Sequence, residues 1–306
     1  MPHLLPLLES GTLEGKRNAI FVLGSLREAS AEKGLFGFVN AEADSEHRAL
    51  AIWALGQLKL ETSVGPLTAY LRGADHQTAK SILEALDSIH SPKAVVPVAE
   101  LLTEPYFRPM LKRLLDFIHS MGGKEALPTV LKALTLQDLT QNQTVLLIQA
   151  VGRLGVPLFP QGVAALKPFL ASQDKEIRDQ AAYSLNELGD ESGVKGLLAP
   201  LDDYLRDYPR DPKGFEARGR SLLRLRRYRD ALRDFQSGVK VSRKDAPVAD
   251  LHIYQARCYA AMNQLKEAYN ALKASDLDPT LLTRYKDEPE FKALREHEKY
   301  GQIFGK

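Results

Sequence analysis

WALGQL (53–58) decides the fold, because the same six-residue core returns along the chain. It stands beside FVLGSL (21–26), EALDSI (84–89), DFIHSM (116–121), QAVGRL (149–154) and YSLNEL (183–188). The third position of each is apolar: Leu23, Leu55, Leu86, Ile118, Val151 and Leu185, spaced by 32, 31, 32, 33 and 34 residues. A short turn and a second apolar stretch follow, as in SVGPLTAYLRG (63–73), AVVPVAELL (94–102), ALPTVLKAL (126–134) and GVKGLLAPL (193–201). Apolar residues within them fall at helical spacing, with no useful run of strand-like alternation. A fixed period near 32 residues predicts a helix-turn-helix unit repeated six times and stacked on its neighbours.

Composition sets the outer limits. The chain has 306 residues, 44% hydrophobic and 26% charged, with one cysteine and a net charge of +2. This is ordinary folded-protein usage and argues against disorder. No apolar run approaches the roughly 18 residues of a membrane span. MPHLLPLLESG (1–11) has neither a basic leader nor a small-residue cleavage site, so a cytoplasmic location is expected. Charge is uneven: residues 1–200 carry 19 basic and 22 acidic side chains, and 201–306 carry 22 and 17. Residues 206–244 concentrate 13 basic against 5 acidic. Two parts with different surfaces are expected.

SQDKEIRDQAAYSLNELGDESGVKGLLAPL (172–201) resembles the short HEAT repeat of bacterial and cyanobacterial proteins, and ADSEHRALAIWALGQLKLETSVGPLTAYL (43–71) resembles it nearly as well. The family's helix-capping Asp matches Asp44 and Asp174, and its Arg one turn later matches Arg48 and Arg178. The third to fifth repeats have Ala79, Leu111 and Thr144 at the Arg position and rest on period and apolar pattern. Trp53 lies about 200° round the helix from the core residue Leu55. Its column reads Phe21, Trp53, Glu84, Asp116, Gln149 and Tyr183, flanked by Asn18, Leu50, Ser81, Arg113, Leu146 and Gln180. The resemblance implies that this column faces an inner, concave groove, where aromatics would anchor a partner.

After Pro209 the pattern changes. GFEARGRSLLRLRRYRDALRDFQSGVKV (214–241) resembles a tetratricopeptide repeat, and HIYQARCYAAMNQLKEAYNALKASDLDP (252–279) is a second copy, with Ala231 and Ala268 37 residues apart. Gly219 and Ala231 should let two helices approach closely while Phe215 and Phe235 fill the gaps. DDYLRDYP (202–209) reads as a helix shared by both repeat types, and the extra residues of the longer period are expected in SRKDAPVAD (242–250). DPTLLTRYKDEPEFKALREHEKY (278–300) reads as two capping helices broken at DEP. The resemblance places Lys213, Glu216, Arg220, Leu223, Arg224, Asp250, Ile253, Tyr254 and Arg257 on the groove side. Arg220, Arg224 and Arg257 then form a candidate fork for an acidic peptide. Arg226, Arg227, Arg229 and Arg233 read as a solvated face with Asp230 and Asp234.

The expected architecture is therefore all-α. It is an α-solenoid of HEAT-like hairpins (1–201) continuing into tetratricopeptide-like hairpins (202–279) and capping helices (280–306). Chemistry is hard to find. His3, His47, His76, His90, His119, His252 and His297 show no metal-ligand spacing. GTLEGKR (11–17) has the wrong glycine spacing for a phosphate loop. Cys258 reads as a small core residue. No catalytic, cofactor or metal residues are expected. The expected function is a non-catalytic scaffold binding a protein or peptide. The candidate contacts are Phe21, Leu50, Trp53, Glu84, Asp116, Tyr183, Arg220, Arg224, Tyr254 and Arg257. Two alternatives stand beside it. One is an enzyme like the bilin lyases or alkylated-base glycosylases that such repeats resemble. The other is a nucleic-acid binder through residues 206–244, where aromatic interleaving is thin because Phe215, Tyr228 and Phe235 are assigned to the core.

Overall fold

The computed structural model describes residues 4–41, 44–155, 160–243 and 248–304. His3 and part of the 242–250 connector lie outside them. The described residues form helices and no strand, and the chain is an all-α solenoid of helical hairpins. In order these are α1 (Leu5–Ser10), α2 (Leu13–Ser25), α3 (Glu32–Ala41), α4 (Ser45–Leu58), α5 (Val64–Leu71), α6 (His76–Ile89), α7 (Val95–Glu100), α8 (Leu111–Ser120), α9 (Leu127–Leu134) and α10 (Gln141–Leu154). There follow α11 (Pro160–Leu166), α12 (Lys175–Glu187), α13 (Val194–Asp207), α14 (Pro212–Arg224), α15 (Tyr228–Val241), α16 (Ala249–Ala261), α17 (Leu265–Ala274), α18 (Pro279–Leu282) and α19 (Lys292–Glu296). Short 3₁₀ turns join many of them. Contacts divide the chain into two compact units, residues 1–168 and 169–306, so the α12–α13 hairpin is grouped with the helices after it.

In the first unit, capping sets where the long helices start. The Asp44 carboxylate accepts from the backbone N–H of Glu46 and His47 at 2.9 and 3.0 Å, and Thr140 forms a capping box with Gln143. Asp75 caps α6 through Thr78 N–H at 2.8 Å, although its repeat lacks the family Arg. Such caps each contribute on the order of 1 kcal/mol. Helix ends recur as well. The chain leaves α2, α4, α6 and α8 through Arg27, Lys59, His90 and Gly122, with φ of 53°, 54°, 58° and 63°. The left-handed turn thus follows the repeat even where no glycine supplies it.

The core lies between helices of successive hairpins. Ile20, Leu23, Ile52, Leu55, Leu67, Leu71, Ile82 and Leu86 are all at most 1% exposed. Backbones meet at small residues. A Cβ on Gly24 would stand 2.9 Å from Ala54 Cα, and one on Gly56 would stand 2.7 Å from Ala85 Cα.

In the second unit the Asp174 carboxylate caps α12 through Glu176 and Ile177 N–H. Residues 194–207 make one helix, α13, which runs through Pro200 and packs on both α12 and α14. A Cβ on Gly219 would meet the Phe235 ring at 2.6 Å, with Ala231 and Phe235 fully buried. Ala256, Ala268 and Leu272 occupy the matching sites of the α16–α17 hairpin. The tail buries Leu282, Phe291, Leu294 and Phe304 against this second hairpin.

Gly56→Val should cost about 1–3 kcal/mol, because the branched side chain overpacks a crossing made of backbone and Ala85. Urea unfolding of the variant beside wild type measures this. An unchanged midpoint would refute the close crossing.

Candidate binding surfaces

Within the first unit the predicted column comprises an aromatic stack and, in later repeats, two clefts. Phe21 is 56% exposed and stacks on the half-buried Trp53, ring centroids 5.6 Å apart and planes 12° from parallel. Trp53 also covers the gap over Gly24. Leu50 is half-buried on the same helix. The next members, Glu84 and Asp116, are both exposed and line one open cleft of about 620 Å³. Leu83, Met110 and Phe117 supply apolar lining, and Asp87, Lys112, Arg113 and Ser120 polar lining. Asp116 also lines a small adjoining cleft with Leu146 and Gln149. Five column positions and the flanking Arg113 and Leu146 thus fall where the period puts them.

The cleft's charges are matched inside it. Arg113 reaches Glu84 at 3.1 Å across the α6–α8 gap, Lys112 holds Asp116 at 2.6 Å along α8, and Ser120 donates to Asp87 at 3.0 Å. These pairs are exposed and weak, so an incoming polar chain can exchange them at small cost. Glu84 and Asp116 each have their own cation.

The second unit treats its candidates differently. Tyr183 is 9% exposed rather than solvent-facing, because the Arg224 guanidinium lies 3.8 Å above its ring. Arg224 also donates to Gln180, which is buried and donates in turn to Ser184. Arg220 sits 5.6 Å over the Tyr254 ring and 3.7 Å from Glu216. Lys213, Ala217, Arg220 and Arg224 form one exposed stripe at helical spacing on α14. Leu223 and Ile253, expected on the groove side, are 6% and 1% exposed because they pack into the core. Arg257 is not a free fork: Glu288 and Glu290 of the chain's own tail bind it at 2.8 and 3.1 Å.

Several important residues escaped the sequence. Arg218 places two nitrogens on Asp234, at 2.8 and 2.7 Å, and a third on Asp202 at 2.8 Å. These hydrogen bonds, first of all Asp234's, hold the guanidinium more firmly protonated than usual. Asp234 is 5% exposed, so it belongs to this clamp and not to a solvated face; only Asp230 pairs outward, with Arg227 and Arg233. A cleft of about 410 Å³ beside α13, lined by Lys195, Asp202, Asp203 and Arg206, also had no sequence signal. Cys258 is fully buried, and burial pushes its thiol up to about 12.

Residues 1–87 match the HEAT-repeat family. None of the curated proteins matches the chain. Among solved structures it is similar to the complex of CpcE and CpcF of phycocyanin lyase from Nostoc sp. PCC7120, at 17% identity over 90% of this chain and 94% of that one, TM-score 0.38. A computationally designed self-assembling cyclic homooligomer is similar at 16% identity over 90% and 91%, TM-score 0.14.

Arg218→Met leaves the buried Asp234 carboxylate without its partner and should cost about 3 kcal/mol. Thermal and urea unfolding check this, and a change within experimental error would refute the clamp.

Proposed function

We propose that this chain is a non-catalytic scaffold holding a peptide or protein partner along the column from the Phe21–Trp53 stack to the Glu84–Asp116 cleft. The observation that carries the reading is the shared register. The helix positions that expose two stacked aromatics also line the open clefts two and three repeats later. HEAT repeats commonly bind proteins, and stacked repeats offer extended surface without any reactive group. Aromatic anchors beside exchangeable ion pairs suit a chain with an apolar side group next to polar ones. A cytoplasmic setting fits, and no helix among the described residues is long and apolar enough to cross a membrane.

The α14–α17 hairpins are read as a tetratricopeptide-like module whose α14 stripe takes an acidic segment. Arg224 and Arg220, held over Tyr183 and Tyr254, lose little side-chain freedom when a carboxylate arrives. Two observations weigh against the alternatives. Arg206, Arg218, Arg227 and Arg233 of the basic block are each paired to an aspartate, which lowers the charge free for phosphates. The sole thiol is buried and held neutral, which removes it as a nucleophile.

Trp53→Ala and Asp116→Lys should each lower retention of a partner on immobilised protein by about tenfold or more, with circular dichroism confirming that both variants stay folded. Equal retention by wild type and both variants refutes the column as the binding site.

Native Cys258 should resist thiol reagents near pH 8 and react only on unfolding. The folded thiol pKa lies above the unfolded value of about 8.5. The stability this burial gives is therefore complete below that value and is lost as pH rises toward about 12. Rapid labelling of the folded protein would refute the buried assignment.

A further inference from the structure

The glycine crossing that joins the first three repeats is broken at the next one. The fourth position of one six-residue core packs on the second position of the following core: Gly24 on Ala54, then Gly56 on Ala85. In the third core the fourth position is Asp87, and the second position of the fourth core is Phe117. Two larger side chains stand where glycine met alanine, so α6 and α8 cannot close as α4 and α6 do. They touch at few points, and the cleft of about 620 Å³ opens between them with Asp87 and Phe117 both in its lining. Asp87 faces across the gap, accepting from Ser120 Oγ of α8 at 3.0 Å.

The charges of this cleft identify its guest. Glu84, Asp87 and Asp116 line it with only two cations. Arg113 is held by Glu84 and Lys112 by Asp116. Asp87 has the Ser120 hydroxyl and, among the described residues, no cation. An acidic guest would add to the excess negative charge, and a neutral one would leave it unmatched. Leu83, Met110 and Phe117 are buried but for their edges and offer an apolar bed. Lysine and arginine lay their methylenes on such a bed and keep the charged head at its rim. Building on the scaffold reading above, we propose that the partner is a peptide segment that places a lysine or arginine in the α6–α8 cleft, its stem on Phe117 and Met110 and its charge on Asp87. The same segment reaches the Phe21–Trp53 stack along the column. Helices packed 8–10 Å apart put the cleft about 15 Å from Trp53. At about 3.3 Å per residue, an extended segment then carries its basic residue about four or five positions from its apolar anchor.

Selection from a library of random peptides on the immobilised full chain tests this. Trp53→Ala, Asp87→Asn and Asp87→Lys run beside wild type, with circular dichroism confirming each fold. Wild type should enrich peptides with a lysine or arginine at that spacing from an aromatic or leucine. For one such synthetic peptide, Asp87→Asn keeps the acceptor for Ser120 and loses the charge, and should raise Kd about three- to fivefold. Asp87→Lys should raise it about tenfold or more, through like-charge repulsion. Replacing the peptide's basic residue by glutamate should recover binding to Asp87→Lys. Pools with no enriched basic residue, a peptide bound equally by wild type and Asp87→Lys, or a charge exchange that fails to rescue would overturn the proposal. Peptides that need Trp53 but ignore Asp87→Lys overturn this inference alone and leave the column standing. A library that yields nothing above the bare support overturns both.

Discussion

The close approach of helix backbones at small residues governs the first unit. Gly24 lies against Ala54 and Gly56 against Ala85, with no room for a Cβ at either glycine. That contact fixes how far apart successive hairpins sit, and so which side chains from neighbouring repeats can touch. Glu84 and Arg113 meet across the next gap, between α6 and α8. The second unit uses a different version. Gly219 admits the Phe235 ring, a small-into-large fit in place of small against small.

Polar bonds follow the same spacing. Thr62 and Ser63 donate to Glu32, Ser91 and Lys93 reach Glu61, Arg48 reaches Asp75, and Arg108 binds Asp138. Their partners are 27 to 32 residues apart, one repeat on. Exposed pairs of this kind add little stability singly. Their consequence is register: each ties one hairpin to the next and to no other. They also leave the column free, because they lie along the loops and helix ends.

The two units present their aromatic and charged side chains in different ways. In the first, the aromatics are offered to solvent and the cleft charges are loosely held. In the second, aromatics are hidden under arginines, so the guanidinium groups are what a partner would meet. The tail completes that difference by taking Arg257 for itself.

The repeat, the helices, most of the core and much of the column were legible in the sequence, because period and apolar spacing are local properties that survive into the fold. Leu23, Leu55 and Leu86 had to be buried, and Glu84, Asp116 and Gln149 had to share a side. The small residues Gly219 and Ala231 beside Phe215 and Phe235 were likewise legible as a close approach of two helices, and the structure sets the Phe235 ring against Gly219. What tertiary structure alone decided was the fate of long, flexible side chains. Arg218 finds Asp234 sixteen residues away, Arg224 finds Tyr183 in another hairpin, and Arg257 finds the tail. A guanidinium on four rotatable bonds can reach several partners, and only the packed positions of neighbouring helices select one.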